Sequence, residues 1–198
     1  MRPIHTQRLH LKPVHEADAQ TLWHVLQQPD LRDFQDLPDL DVDAFRASIA
    51  GRPKVLRPGA VGRFEWLIYW NEAPPDQSHP LGWVSLRLAE RAPEKAEIGY
   101  SIVPSHRGRG IATEAVAGLV SEAFERAGVS SVRAYCVPQN MPSRAVLTRN
   151  DFKEEGVSKH GATVAGQAVD VIAYELDRAR WIGPPRVRAT PNRSATRS

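Results

Sequence analysis

The stretch Val103-Pro104-Ser105-His106-Arg107-Gly108-Arg109-Gly110-Ile111-Ala112-Thr113-Glu114-Ala115 constrains this chain more than any other. The apolar run from Ala96 to Val103 before it reads as a strand. After it, Ala112, Val116, Leu119, Ala123 and Ala127 recur at helical spacing, with Val120 and Phe124 beside them. A strand, a turn holding two glycines and a helix N-terminus together make a site for an anion. Glycine lets the backbone approach a phosphate closely, and the amides of a first helical turn have no acceptor inside the helix. Arg107 and Arg109 add positive charge on either side of Gly108.

Two common phosphate motifs are excluded by the residues themselves. The nucleotide-hydrolase loop needs Gly, four residues, then Gly-Lys-Ser/Thr, and no such run occurs. The dinucleotide pattern Gly-x-Gly-x-x-Gly fails because Thr113 stands where the third glycine belongs. What is present is Arg-x-x-Gly-x-Ala, at Arg107, Gly110 and Ala112. Ahead of it runs Glu97-Ile98-Gly99-Tyr100-Ser101-Ile102-Val103-Pro104, and Ala112-Thr113-Glu114-Ala115 closes it. Together these resemble the GNAT superfamily of acetyl-CoA-dependent N-acetyltransferases, in its RimJ/RimL branch. A second phrase, Asn140, Ser143, Val146 and Leu147, is similar to the family's later motif. The family's helix usually leaves through Leu-Gly-Phe, where this chain has Asn150-Asp151-Phe152. Asn and Asp tolerate left-handed backbone angles, so the exit turn is expected to survive.

The length of 198 residues suits one domain with an appendage. The domain is assigned to residues 1–182. Residues 183–198 are polar, proline-broken and carry four arginines without an acid, and are expected to form a basic, flexible tail. Removing those four from the 26 basic residues leaves 22 against 23 acidic ones. The basic pI therefore belongs to the tail, and the folded domain is not expected to bind nucleic acid directly. No apolar run approaches the roughly 20 residues of a membrane span, and the N-terminus lacks a secretion signal. The lone Cys136 sits in an apolar run, which fits a reducing cytoplasm. His5, His10 and His15 recur every five residues and so share no helix or strand face, and no metal site is expected.

The remaining periodicities predict strands over about 8–14, 64–70, 81–88, 94–103, 131–137, 153–160 and 166–176. Helices are predicted over about 16–28, 42–50, 111–127 and 142–149. A hairpin through 71–80 would set its strands antiparallel, and the helical connection through 111–127 favours a parallel pair on either side. The resemblance covers about Thr6 to Leu176. It implies an α/β GNAT fold whose mixed, mostly antiparallel sheet of about seven strands is splayed between the fourth and fifth and flanked by helices. Residues 29–43 hold six aspartates. By resemblance they border the acceptor pocket and would draw in a cationic amine. The preferred reading is a solvated loop whose aspartates cap turns and a helix start.

The resemblance also assigns roles. Ile102 and Val103 would pair their backbone with the pantetheine arm of acetyl-CoA. The amides of Gly108, Arg109, Gly110, Ile111, Ala112 and Thr113 would hold the pyrophosphate, with Arg107 in support, and Asn140 would bond the pantetheine or its loop. Acyl transfer from a thioester to an amine needs a base for the ammonium, donors for the developing oxyanion and a proton for the leaving thiolate. Glu97 is the expected base. The position where other branches carry an acidic tyrosine is Leu147 here, so Ser143 is assigned to hold the sulfur or relay a proton, with Tyr135 as the second candidate. No histidine pattern supports a covalent intermediate on Cys136. The expectation is direct transfer to a protein N-terminus or a small cationic amine, in an enzyme without a metal. A homodimer is a possibility that the family alone raises. The alternatives are another acyl donor such as succinyl-CoA, a non-catalytic acyl-CoA-binding module, and a nucleotide-binding protein using the same turn.

Overall fold

The structure, a computed structural model, describes residues 1–28, 41–72, 79–164 and 166–183. The aspartate-rich run at 29–40 and the tail from 184 lie outside the described residues. One sheet of eight strands organises the chain: β1 (Ile4–His5), β2 (Leu9–Pro13), β3 (Gly62–Trp70), β4 (Gly82–Ala89), β5 (Ala92–Ile102), β6 (Ser131–Cys136), β7 (Lys153–Val164) and β8 (Gln167–Asp177). Their order is β1-β2-β3-β4-β5-β6-β8-β7, and every neighbouring pair is antiparallel except β5 and β6. The eighth strand beyond the expected seven is β1, two residues too short to read from any periodicity. It brings His5 directly opposite His10, their Nδ1 atoms 3.4 Å apart. Sequence spacing had kept these two apart because hairpin pairing does not follow a single-strand period.

Among the described residues four α-helices flank the sheet: α1 (Ala19–Leu26), α2 (Val42–Ala50), α3 (Ile111–Glu122) and α4 (Met141–Arg149). Phe64, Trp66 and Ile68 point to one face, where Ile111, Val116 and Leu119 of α3 bury against them. Each such side chain removed from water contributes about 2 kcal/mol. On the opposite face Leu67, Tyr69 and Trp83 are covered by Leu22, Val25 and Leu26 of α1 and by Phe45 and Ile49 of α2. β3 therefore reads as a nearly continuous apolar run because both its faces are covered. Glu65 breaks that run at 2% exposure. It is matched by an ion pair with Arg52 and by Trp83 Nε1–H at 3.0 Å, the compensation that a buried carboxylate requires.

Local chemistry ends the helices as their sequences dictate. Asp41 caps α2, its carboxylate accepting from the N–H groups of Asp43 and Ala44 at 3.0 and 2.8 Å. α3 passes into a π-helical turn, Ala123–Ala127, and stops at Gly128, whose φ of 72° is left-handed. α4 carries Pro142 in its first turn. It leaves through Asp151 at φ 62°, so the Asn150-Asp151-Phe152 exit keeps the left-handed turn despite lacking glycine. Phe152 then donates to Leu147 O at 3.1 Å and is buried.

β5 holds its direction through one close approach. A Cβ on Gly82 would stand 2.1 Å from Ser101 O and 2.9 Å from Ile102 Cα. Only glycine fits there. Gly82→Ala is expected to cost about 2 kcal/mol or more, read as a lowered urea midpoint at unchanged m-value.

Candidate functional site

The site begins where two neighbouring strands stop pairing. β5 and β6 are joined only at Lys95↔Ser131, Ala96↔Val132 and Glu97↔Arg133. Beyond that level β5 runs on to Ile102 beside β4, and β6 runs on to Cys136 beside β8. A gap opens between them with its apex at Glu97 and Arg133. Peptide direction along β5 is fixed by its other neighbour. Ser101 O faces β4, and Val103 N–H donates to Leu81 O at 2.9 Å. Successive peptides alternate, so the backbone of Ile102 turns toward the gap. Val103 uses its N–H on Leu81 and its carbonyl on His106 N–H. Of the two residues expected to offer backbone to a ligand, Ile102 faces the gap and Val103 does not.

At the open end of the gap lies the loop. Pro104–His106 forms a single 3-10 turn, Arg107 is extended, and Gly108 and Gly110 take φ of 75° and 74°. These two positive angles turn the chain into α3, and both are favoured only in glycine. Gly110 caps α3 without a side-chain bond, and Glu114 N–H is the first of the helix to find an acceptor, Gly110 O at 3.1 Å. Among the described residues the N–H groups of Ile111, Ala112 and Thr113 thus meet no main-chain or side-chain acceptor. Gly108, Arg109 and Gly110 are exposed in front of them. An anion placed there gains those donors and the positive end of the helix dipole. Arg107 Nε donates to Ile102 O at 2.9 Å, tying the loop to the gap-facing strand edge. The buried His106 Nδ1 has no hydrogen-bond partner beside it.

Three residues that sequence reasoning missed hold this loop in place. Glu114, four residues into α3, accepts from Thr6 Oγ1 at 2.6 Å, Arg8 N–H at 2.7 Å and Arg8 Nε at 2.7 Å. Arg8 Nη1 reaches Arg109 O at 3.2 Å, and the Arg8 guanidinium lies over Trp70 with 5.9 Å to the ring centroid. Arg8 thereby places a third cation at the loop. Burial alone would raise the Glu114 carboxyl, but the bonds from Thr6 and Arg8 together hold it below the ordinary glutamate range.

On the α3 side of the sheet, α4 follows β6 and meets β5 through Tyr100. Asn140 caps α4, its Oδ1 accepting from Ser143 N–H at 3.1 Å. Ser143 Oγ lies 2.8 Å from Tyr100 Oη, which also donates to Ser143 O at 3.1 Å. Tyr100 was not singled out in the sequence, although its polar tip on the otherwise apolar face of Ala96, Ile98 and Ile102 was the available signal. Burial raises its phenol well above the usual range, so it stays a neutral donor. Cys136 shares this side of the sheet with Leu147, and burial pushes its thiol up, partly opposed by Arg144 and a Ser143 bond.

Glu97 and Tyr135 lie on the other face. Glu97 is half-exposed, with Arg87 Nη1 3.8 Å from its carboxylate. Tyr135, one residue before Cys136, is 45% exposed and turned away from Ser143. The structure thus brings Ser143 together with Tyr100 and Asn140, and sets Glu97 and Tyr135 across the fork from them. Among the described residues no helix is long and apolar enough to cross a membrane.

Comparison with known proteins assigns this chain to the N-acetyltransferases. A family model described as acetyltransferase (GNAT) domain matches residues 8–153. The uncharacterized N-acetyltransferase p20 of Bacillus licheniformis is 25% identical over 184 residues, covering 92% of this chain and all of that protein. RimL, the ribosomal L7/L12 α-N-protein acetyltransferase solved with coenzyme A, superposes with a TM-score of 0.74 at 22% identity, covering 90% of this chain and 99% of RimL. RimJ of Mycobacterium smegmatis, solved with a CoA disulfide, gives 0.72 at 23%, covering 92% of this chain and 89% of RimJ. The chain belongs to the GNAT acetyltransferases, and its fold is RimJ/RimL-like.

Because the folded Glu114 carboxyl sits below its unfolded value, its bonds contribute fully above the unfolded value of about 4.3 and are lost as pH falls through the depressed one. Glu114→Gln is expected to lower stability by about 1–2 kcal/mol at pH 7. Chemical denaturation at a series of pH values should show the gap to the parent closing below about pH 4.

Proposed function

We propose that the protein transfers an acetyl group from acetyl-CoA to the α-amine of a polypeptide, by direct attack with both substrates bound. The observation that carries this reading is the fork between β5 and β6 opening onto the unpartnered N–H groups at the start of α3. The amides of Gly108 to Thr113 hold the pyrophosphate, with Arg107 and Arg109 beside it. Ile102 offers backbone to the pantetheine arm. Asn140 keeps the start of α4 in register, which sets Ser143 at the gap. The activity of RimL on the α-amine of ribosomal L7/L12 favours a protein acceptor over a small amine.

The residues divide the chemistry between two faces of the sheet. Glu97, at the apex, takes the proton from the incoming ammonium directly or through one water. A β5 amide turned into the gap donates to the carbonyl oxygen as charge develops there. On the far side Ser143 Oγ–H, its position set by the Tyr100 hydroxyl, donates to the departing sulfur, with Tyr135 a second candidate donor from the acceptor face. The raised Cys136 thiol is a weak nucleophile at neutral pH, which fits transfer without an acyl-enzyme.

A screen of α-amine peptides and small amines with acetyl-CoA, followed by thiol release, tests the assignment. Glu97→Gln is expected to lower kcat by about 100-fold or more at unchanged coenzyme A affinity. Calorimetric titration that finds ATP bound more tightly than coenzyme A would remove the reading.

A further inference from the structure

Four charged residues at one level of the sheet are successive ladder partners: Arg63 on β3, Arg87 on β4, Glu97 on β5 and Arg133 on β6. Directly opposed residues share a face. This is the face that carries α1 and α2, but the helices do not cover this level. The side chains keep 48, 59, 44 and 39% exposure in that order. The row starts at the apex of the fork and runs outward to β3.

Its charges are not balanced. Arg133 is matched, with Nε donating to Glu175 at 2.8 Å. Arg87 shares Glu97 at 3.8 Å. Arg63 comes no nearer than 3.9 Å to Glu65, whose carboxylate is already held by Arg52 and Trp83. Burial and the neighbouring Arg87 press the Arg63 guanidinium below its ordinary range, against a smaller opposing pull from Glu97. Beside Arg63 opens a cavity of about 210 Å³, lined also by Arg52, Lys54, His15 and Glu16.

We propose that this row selects the acceptor: a polypeptide with an acidic third or fourth residue, whose carboxylate seats on Arg63 and Arg87 at the mouth of that cavity. The inference rests on the α-amine reading above. Neighbouring strands are about 4.8 Å apart, so Arg63 lies two strands, roughly 10 Å, from Glu97. An extended peptide covers that span in about three residues at roughly 3.3 Å each. Glu97 meets the ammonium at one end of the row, and the arginines meet the following carboxylate at the other. A basic residue at the same place, or a small polycation, meets unneutralised guanidinium charge and is disfavoured.

The test is a peptide series Ser-Ala-X-X-Ala-Tyr with X as Glu, Gln or Lys, assayed with acetyl-CoA. At low salt kcat/KM is expected to be about tenfold or more higher for Glu than for Lys, narrowing as ionic strength rises. Arg63→Ala should bring the ratio to within about twofold, and Arg63→Glu should invert it. Calorimetry with coenzyme A verifies that each variant is folded. Equal rates for Glu and Lys peptides, or a ratio that both Arg63 variants leave intact, overturn the inference while the α-amine reading stands. Acetylation of small amines with no peptide accepted overturns both.

Discussion

A parallel ladder that stops after three pairs is the constraint on which this molecule depends. Unpaired strand edges seek partners, and the facing edges of β5 and β6 do not find them in each other beyond that point. Each is instead held along its outer side, β5 by β4 from Gly82 to Leu88 and β6 by β8 over its whole length. The inner edges part beyond Glu97 and Arg133. Gly82 belongs to this arrangement, because its missing side chain lets Ser101 approach β4 and so turns Ile102 the other way.

The glycine loop before α3 presents a different problem. A helix that starts on glycine without a capping side chain is weakly defined at its N-terminus. Here the definition comes from the turn between β1 and β2. Thr6 and Arg8 reach across to Glu114, and Arg8 continues to the carbonyl of Arg109. The carboxylate in the first helical turn also complements the helix dipole. The cap that would normally occupy the first-turn amides is thereby moved aside, and the amides stay available to an anion.

The sheet separates the site into two environments. On the α3 and α4 side, Tyr100, Ser143 and Cys136 sit in apolar surroundings that hold the phenol and thiol neutral. On the α1 and α2 side, Glu97 lies in a charged, half-solvated row. A half-solvated carboxylate and a buried phenol keep opposite environments because a layer of backbone lies between them.

How much of this is legible in the chain follows from how far each feature reaches along it. The glycine turns at 108 and 110, the helix end at Gly128, the Asn140 and Pro142 helix start and the left-handed exit at Asp151 are local. Each is set by the conformational range of one or two residues, so the sequence alone determined them. The seven longer strands followed from their periodicity, while the two-residue β1 did not. The Arg8–Glu114 bond spans 106 residues and the Tyr100–Ser143 bond 43, and no local pattern encodes either. The row from Arg63 to Arg133 exists only through the registers of three separate ladders. Which way a backbone amide faces, and which charges become neighbours, was decided by strand pairing, because those directions belong to the partner strand as much as to the residue.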